Sequence, residues 1–306
     1  MSIPAGKMHA DEVDIDAQLV RRLLAAQFPQ WADHPVTPVV SAGTDNALYR
    51  LGDDLVVRLP RIHWAVNQID REFRWLPRLA PYLPLALPAP LAKGRPGAGY
   101  PYSWGVYRWL AGESATIESI ADPIEAALDL AHFITALQRI DTAGGPPLGQ
   151  HNLSRGKPLT TRDGATREAI AALGNRVDAG TAMAVWEGAL KASEWSREPV
   201  WFHGDLLAGN LLCAEGRIHA VIDFGALAVG DPACDLMIAW DLFEGDSRDA
   251  FRTALLADDA TWERGRGWAL SQALIFVPYY LETNPAGVTE ALRRIDLVLA
   301  DQSAGL

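Results

Sequence analysis

Residues 201–225 read WFHGDLLAGNLLCAEGRIHAVIDFG. An apolar run breaks at His203, Gly204 and Asp205 and places Asn210 five residues after that Asp. A second apolar run then ends on Asp223-Phe224-Gly225. The turn AEGR at 214–217 joins strand-like segments near 210–213 and 218–223, which brings Asn210 and Asp223 to the same end of a hairpin. Asp205 precedes the first of these strands by a loop. Two carboxylates and an amide meeting there are hard oxygen ligands, suited to Mg2+ held together with phosphate oxygens. The remaining Asp can accept a proton from an attacking hydroxyl. Taken singly, Asp205 or Asn210 reads as an Asx turn in a polar loop. It is the three spacings in order that carry the catalytic reading.

The chain around this stretch has 306 residues, 49% of them hydrophobic, enough for one large or two modest domains. No run of 18 apolar residues occurs, and PYLPLALPAPLA at 81–92 is cut by four prolines, so no membrane helix is expected. The start, MSIPAGKMHADEVDID, lacks the apolar segment of a secretory signal, and a cytoplasmic location is expected. Cys213 and Cys234 form no metal or disulfide framework and read as buried small hydrophobes. Residues 1–110 hold 12 basic and 10 acidic side chains, and the remainder holds 15 and 28. So acidic a chain is a poor nucleic-acid binder by nonspecific attraction. The asymmetry hints that the first third meets an anion, although solubility alone also explains acidic surfaces.

The first third reads as β-rich. A helix over 14–28 precedes strands at 36–40, 46–51 and 54–60. A helix follows over about 64–80, interrupted by Pro77, then a proline-rich extended stretch and a strand at 102–110. AGES at 111–114 looks like a hinge or linker. Beyond it the pattern is helical: 122–140, with Asp122 as N-cap and Pro123 at the first helical position, then about 165–173 and 179–195. After the quoted stretch come helices at about 231–244, 247–257, 261–280 and 286–301. A β-rich part joined to a helical part implies an α+β protein of two lobes with a cleft between them, where small ligands bind.

HGDLLAGN followed by VIDFG resembles the protein-kinase pattern H-R-D-x4-N then D-F-G, with Gly in place of Arg. With GDPACDL at 230–236, the stretch looks like the aminoglycoside phosphotransferase family, a branch of the kinase fold that phosphorylates hydroxyls of antibiotics and other small molecules. The resemblance implies a two-lobed kinase-like fold, with residues 1–109 as the nucleotide-binding lobe and 110–306 as the catalytic and acceptor-binding lobe. It implies ATP or GTP as co-substrate and Mg2+ as cofactor. Asp205 would be the catalytic base, and Asn210 and Asp223 would hold the metal. His203 would buttress the loop, and Asp231 and Asp235 would brace it and the start of the next helix. Asp231 before Pro232 also reads as a plain N-cap.

Phosphoryl transfer also needs a cation on the nucleotide phosphates. The third strand, LVVRLPR, carries Arg58 where the family usually shows Lys; guanidinium is always charged and can grip phosphate bidentately. Arg61 is the runner-up. Glu72, in DREFR, fits the ion-pair Glu of the kinase pattern. SAGTDNALYR has one glycine and no GxGxxG, yet its place between two strands makes Gly43, Thr44 and Asn46 candidates to cover the phosphates. Residues 106–110, with Tyr107 and Trp109, would connect the lobes and meet the base edge through their backbone.

The acceptor is barely legible. Asp241, Glu244 and Glu282 could favour a polyamine such as an aminoglycoside. Tyr279 and neighbouring aromatics could instead form a wall for a macrolide or nucleoside antibiotic. The expectation is a small-molecule O-phosphotransferase. The alternatives are a metabolite kinase, a nucleotide-binding module without catalysis, or a metal hydrolase built on His203, Asp205, Asp223 and His219.

Overall fold

The computed structural model describes residues 12–39 and 45–303. Asp16 opens the first helix, α1 (Ala17–Gln27), by accepting the Leu19 N–H at 2.7 Å; Leu19, Val20, Leu23 and Leu24 face inward. Five antiparallel strands follow in the order β1-β2-β3-β5-β4: β1 (Val36–Pro38), β2 (Asn46–Leu51), β3 (Leu55–Pro60), β4 (Pro90–Gly94) and β5 (Trp104–Arg108). The inward sides of α1 and this sheet make one core, with Leu23, Leu51, Val57, Leu59 and Val106 fully buried.

Between β3 and β4 lies α2 (Val66–Leu79). The interruption expected at Pro77 does not occur. The proline lies in the last turn, where it removes the one N–H that would donate to the Phe73 carbonyl, and the helix runs through it to Leu79. Helix α2 buries Ile69 and Glu72 beside the sheet, and its Trp75 packs on Trp201 with ring centroids 4.8 Å apart. Through Trp75, Leu76 and Leu79 it belongs to the core of the helical part, so this element ties the two halves together.

The stretch read as a linker is structured as well. Glu113–Ser114 form β6 and pair with β8 (Leu211–Ala214), which pairs in turn with β9 (Arg217–Val221). The helical part begins with α3 (Pro123–Gln138), whose Asp122 cap accepts from the Ile124 and Glu125 N–H groups, with Pro123 at the first position. It continues through α4 (Asp163–Leu173) and α5 (Ala179–Lys191). Strand β7 (Val200–Phe202) then pairs with β10 (Ala228–Gly230). The segment expected as a helix over 231–244 is a 3-10 helix, Pro232–Trp240, buried along its whole length. The chain ends with α6 (Gly245–Ala254), α7 (Asp259–Tyr280) and α8 (Pro285–Ser303). The architecture is α+β, with a sheet-rich N-terminal region and a helical C-terminal region. Among the described residues no helix is long and apolar enough to cross a membrane.

Candidate active site

Strand β7 delivers the chain to His203, which is fully buried. The backbone N–H groups of His203 and Gly204 both donate to Asp235, at 2.7 Å each. The Asp205 N–H donates to His203 Nδ1 at 3.1 Å, so Nδ1 is the acceptor nitrogen and Nε2 carries the proton donated to the Ile222 carbonyl at 3.0 Å. One imidazole thus links the loop bearing Asp205 to the residue before Asp223. Gly204 explains the departure from the kinase pattern. Its φ is +86°, and a Cβ there would lie 2.7 Å from the Ala226 carbonyl oxygen. Burial pushes the Asp235 carboxyl above its ordinary range, despite the two N–H donors it accepts from.

Asn210 donates its Nδ2 to the Asp205 carbonyl at 2.8 Å and to Asp205 Oδ2 at 3.3 Å. Hairpin pairing of β8 with β9 sets Asn210 beside the end of β9, where the Ile222 N–H donates to the Asn210 carbonyl. Asp223 then turns with φ +61°, a left-handed conformation that aspartate tolerates through its short polar side chain. That turn aims its carboxylate across at β3, where Arg58 Nη2 donates to Oδ1 at 2.8 Å.

Arg58 is the hub of the opposite wall. It also pairs with Glu72 from α2 and donates to Gln68 Oε1 at 3.1 Å. Glu72 is 1% exposed and accepts from the Tyr107 hydroxyl at 2.7 Å. Burial alone would weaken the Arg58 proton, but the charges of Glu72 and Asp223 hold its basicity above the ordinary value. Burial likewise tends to raise the Asp223 carboxyl; the charge and hydrogen bond of Arg58 win, and it titrates below its ordinary range. Asn46 stacks its amide on the same cluster. With its oxygen facing the guanidinium it lies 3.0 Å from Arg58 Nη2. Arg71, also from α2, reaches over to donate to the Gly225 carbonyl at 2.6 Å.

A cleft of about 470 Å³ opens between the two walls. Asn46, Arg58, Tyr107, Trp109, Asn210 and Asp223 all line it, and Trp109 carries Arg50 over its ring at 4.2 Å. Leu48 and Val56 from the sheet and Leu212 and Ile222 from the hairpin line it too. These apolar jaws went unnamed in the sequence reading, although the alternation in NALYR and LVVR carries their signal. The Arg108 and Trp109 N–H groups are already spent on the Ala89 and Asp54 carbonyls, so a base edge here would be read by other groups of this segment. Gly43 and Thr44 lie outside the described residues. Arg61 pairs with Glu12 at 3.5 Å, away from this cluster.

The structure departs from the sequence reading at the acceptor side. Asp241 is 3% exposed, and both its oxygens are taken: Arg294 on Oδ1 at 2.6 Å and the Ala208 N–H on Oδ2 at 2.7 Å. It is a brace for the 205–210 loop rather than a wall for a ligand, because it is buried and both its oxygens already accept from the protein. Glu244 is exposed just before α6, while Glu282 and Tyr279 are exposed around the end of α7; none of the three lines the cleft. Asp231 caps the 3-10 helix through the Ala233 N–H and pairs with the buried Arg264 at 2.8 Å. His219 binds the Ala111 carbonyl at 2.7 Å, on the linker and apart from His203. Among the described residues no three His, Cys, Asp or Glu side chains gather as a metal cage. One partner was missed altogether: Arg155, from the loop before α4, pairs with Asp205 Oδ1 at 2.7 Å. Nothing in its neighbourhood, SRGKP, marks it in the sequence.

The chain matches the Phosphotransferase enzyme family, APH, over residues 36–268, and it belongs to that family. Among solved structures it is similar to APH(2")-IIia in complex with GDP and kanamycin, with TM-score 0.72 and 18% identity over 94% of this chain and 99% of that one. It is also similar to the macrolide 2'-phosphotransferase MphH from Brachybacterium faecium, with TM-score 0.60 and 22% identity over 92% of this chain and 98% of that one. A third is the streptomycin-ATP-APH(2")-IIa ternary complex, with TM-score 0.60 and 19% identity over 94% and 99% of the two chains. At these identities the likeness is one of fold. No curated protein matches the chain.

Proposed function

We propose that this protein transfers the γ-phosphoryl group of ATP or GTP to a hydroxyl of a small molecule, with an antibiotic as acceptor. The observation that carries the reading is the Arg58 to Asp223 link beside one cleft, with Asn210 joined to Asp205 on the Asp223 side. The first link joins residues of both lobes, 1–109 and 110–306, around a space sized for a nucleotide.

The donor set fits Mg2+ bound with phosphate oxygens. Asn210 turns its Nδ2 to Asp205, which faces its carbonyl oxygen the other way. Asp223 gives Oδ1 to Arg58, which leaves Oδ2 for the ion. Bound there, the ion would neutralise charge on the phosphates. Arg58, held upright by Glu72, would steady the same phosphates, and the jaws of Leu48, Val56, Leu212 and Ile222 would hold the base. Asp205 would accept the proton of the acceptor hydroxyl as its oxygen bonds to the γ-phosphorus. The bond to the β-phosphate oxygen breaks, and the nucleoside diphosphate leaves. His203, Asp231, Asp235 and Asp241 would keep the loop in place.

Family membership, neighbours in complex with kanamycin or streptomycin, and a neighbour that is a macrolide 2'-phosphotransferase support an antibiotic acceptor. An aminoglycoside stands first, through the exposed Glu244 and Glu282. A macrolide stands second, favoured by the loss of Asp241 from the acidic set and by the exposure of Tyr279. A reaction of this kind suits the cytoplasm, where nucleoside triphosphates are, and calls for no nucleic-acid partner. The test is incubation with Mg-ATP or Mg-GTP and a panel of aminoglycosides, macrolides and nucleoside antibiotics, read by phosphate transfer. Transfer to one of them is the expected result, and transfer only to a sugar or amino-alcohol metabolite would replace the antibiotic.

A further inference from the structure

Arg155 has no role in the reading above, yet it is built with care. The residue is 7% exposed and its guanidinium Nη2 sits 2.7 Å from Asp205 Oδ1. The turn that presents it is organised by Asn152, which is fully buried. Asn152 Oδ1 accepts the Gly149 N–H at 3.1 Å, and its Nδ2 donates to the Arg155 carbonyl at 3.0 Å. Leu153 and Ser154 complete the turn in left-handed conformations, φ +54° and +57°, which non-glycine residues adopt only when the surroundings enforce them.

A buried guanidinium is costly, and here it occupies one oxygen of the side chain meant to accept a proton. Such an arrangement earns its place if the charge is needed elsewhere in the cycle. The cleft carries an exposed Arg108 at the end of β5, but free positive charge is scarce on its Asp205 side. Arg58 is held between Glu72 and Asp223. Residues 203–213 contain no Lys or Arg, and the one Arg of the hairpin, Arg217, pairs with Glu125 and Asp129 at the surface. Arg155 is the cation paired with Asp205: it holds one oxygen of that carboxylate while Asn210, which lines the cleft, holds the other.

Building on the phosphotransferase reading, we propose that Arg155 is a phosphate-binding residue for the γ-phosphoryl group, stored on Asp205 until a nucleoside triphosphate arrives. On binding, the guanidinium shifts its donors to the γ-phosphate oxygens, where charge gathers during transfer. Asp205 Oδ1 is thereby released to take the acceptor hydroxyl.

The consequence is readable without an acceptor. A γ-phosphate contact tells triphosphate from diphosphate, whereas a structural Arg155 does not. Dissociation constants of Mg-ADP and of Mg-bound non-hydrolysable ATP analogue are measured by calorimetry for the wild type, Arg155→Gln and Arg155→Lys, with melting temperatures alongside. Arg155→Gln is expected to lose about tenfold to a hundredfold in affinity for the triphosphate analogue while its ADP affinity stays within about twofold. Arg155→Lys keeps the charge and the fold, shortens the reach, and is expected to lose several-fold for the analogue alone. If Arg155→Gln does not fold, Arg155→Lys decides by the same ratio. Equal affinities in variant and wild type, or equal losses for both nucleotides, overturn the proposal. A wild type that binds neither nucleotide overturns the phosphotransferase reading along with it, and that outcome is distinct from an unchanged ratio.

Discussion

Asp223 and Asp241 are both aspartates held by an arginine far away in the chain, and they end in opposite situations. Asp223 meets Arg58 through one oxygen, its side chain is 36% exposed, and it borders the cleft. Asp241 meets Arg294 through one oxygen and the Ala208 N–H through the other, and it is 4% exposed. The first keeps an oxygen for a ligand; the second is spent on architecture. An acidic residue near a site is therefore no measure of what the site binds. What matters is how many of its lone pairs the protein has already used.

The sharpest way to break this comparison is Asp205→Ala. The nucleotide end predicts turnover lower by about 10²- to 10⁴-fold with nucleotide affinity nearly unchanged, measured by steady-state kinetics and calorimetry. Retained turnover would remove Asp205 from the reaction. Next in size is Arg58→Met, which strands the buried Glu72 carboxylate. Urea unfolding should show a loss of about 3–5 kcal/mol, and nucleotide binding should weaken with it. Asp241→Asn keeps shape and part of the hydrogen bonding, so it should cost about 2 kcal/mol of stability and leave the acceptor KM unchanged. A raised acceptor KM at full stability would return Asp241 to the binding wall.

The smallest effect is in pH. Asp223 titrates below its ordinary value of 3.8, so its pairing stabilises the fold above that pH and the contribution is lost as pH falls through and below it. The stability difference between the wild type and Asp223→Asn should therefore shrink between about pH 5 and pH 3. A difference that grows on acidification would contradict the Arg58 pairing.

Much of the candidate site was legible because its residues follow a short fixed spacing. His203, Asp205 and Asn210 lie within eight residues, and a hairpin with a readable turn returns Asp223 to them. Arg58 and Glu72 followed from one strand and one helix. Arg155 was not legible, since it meets Asp205 across 50 residues of chain and its loop carries no periodic pattern. The linker at 111–114 misled for a similar reason: its strand character comes from pairing with residues 212 and 213, not from its own composition.

By itself the amino-acid sequence determined which residues can do chemistry, most of the helices and strands, and that a glycine stands at 204 in place of an arginine. These are local properties, governed by side-chain type, backbone freedom and periodicity over a few residues. Only the tertiary structure decided which carboxylates stay open, which arginine guards Asp205, and that the third acid of the expected acceptor wall is a brace. Those are long-range facts. They depend on which donors from distant segments arrive at each oxygen, and no local pattern records the meeting.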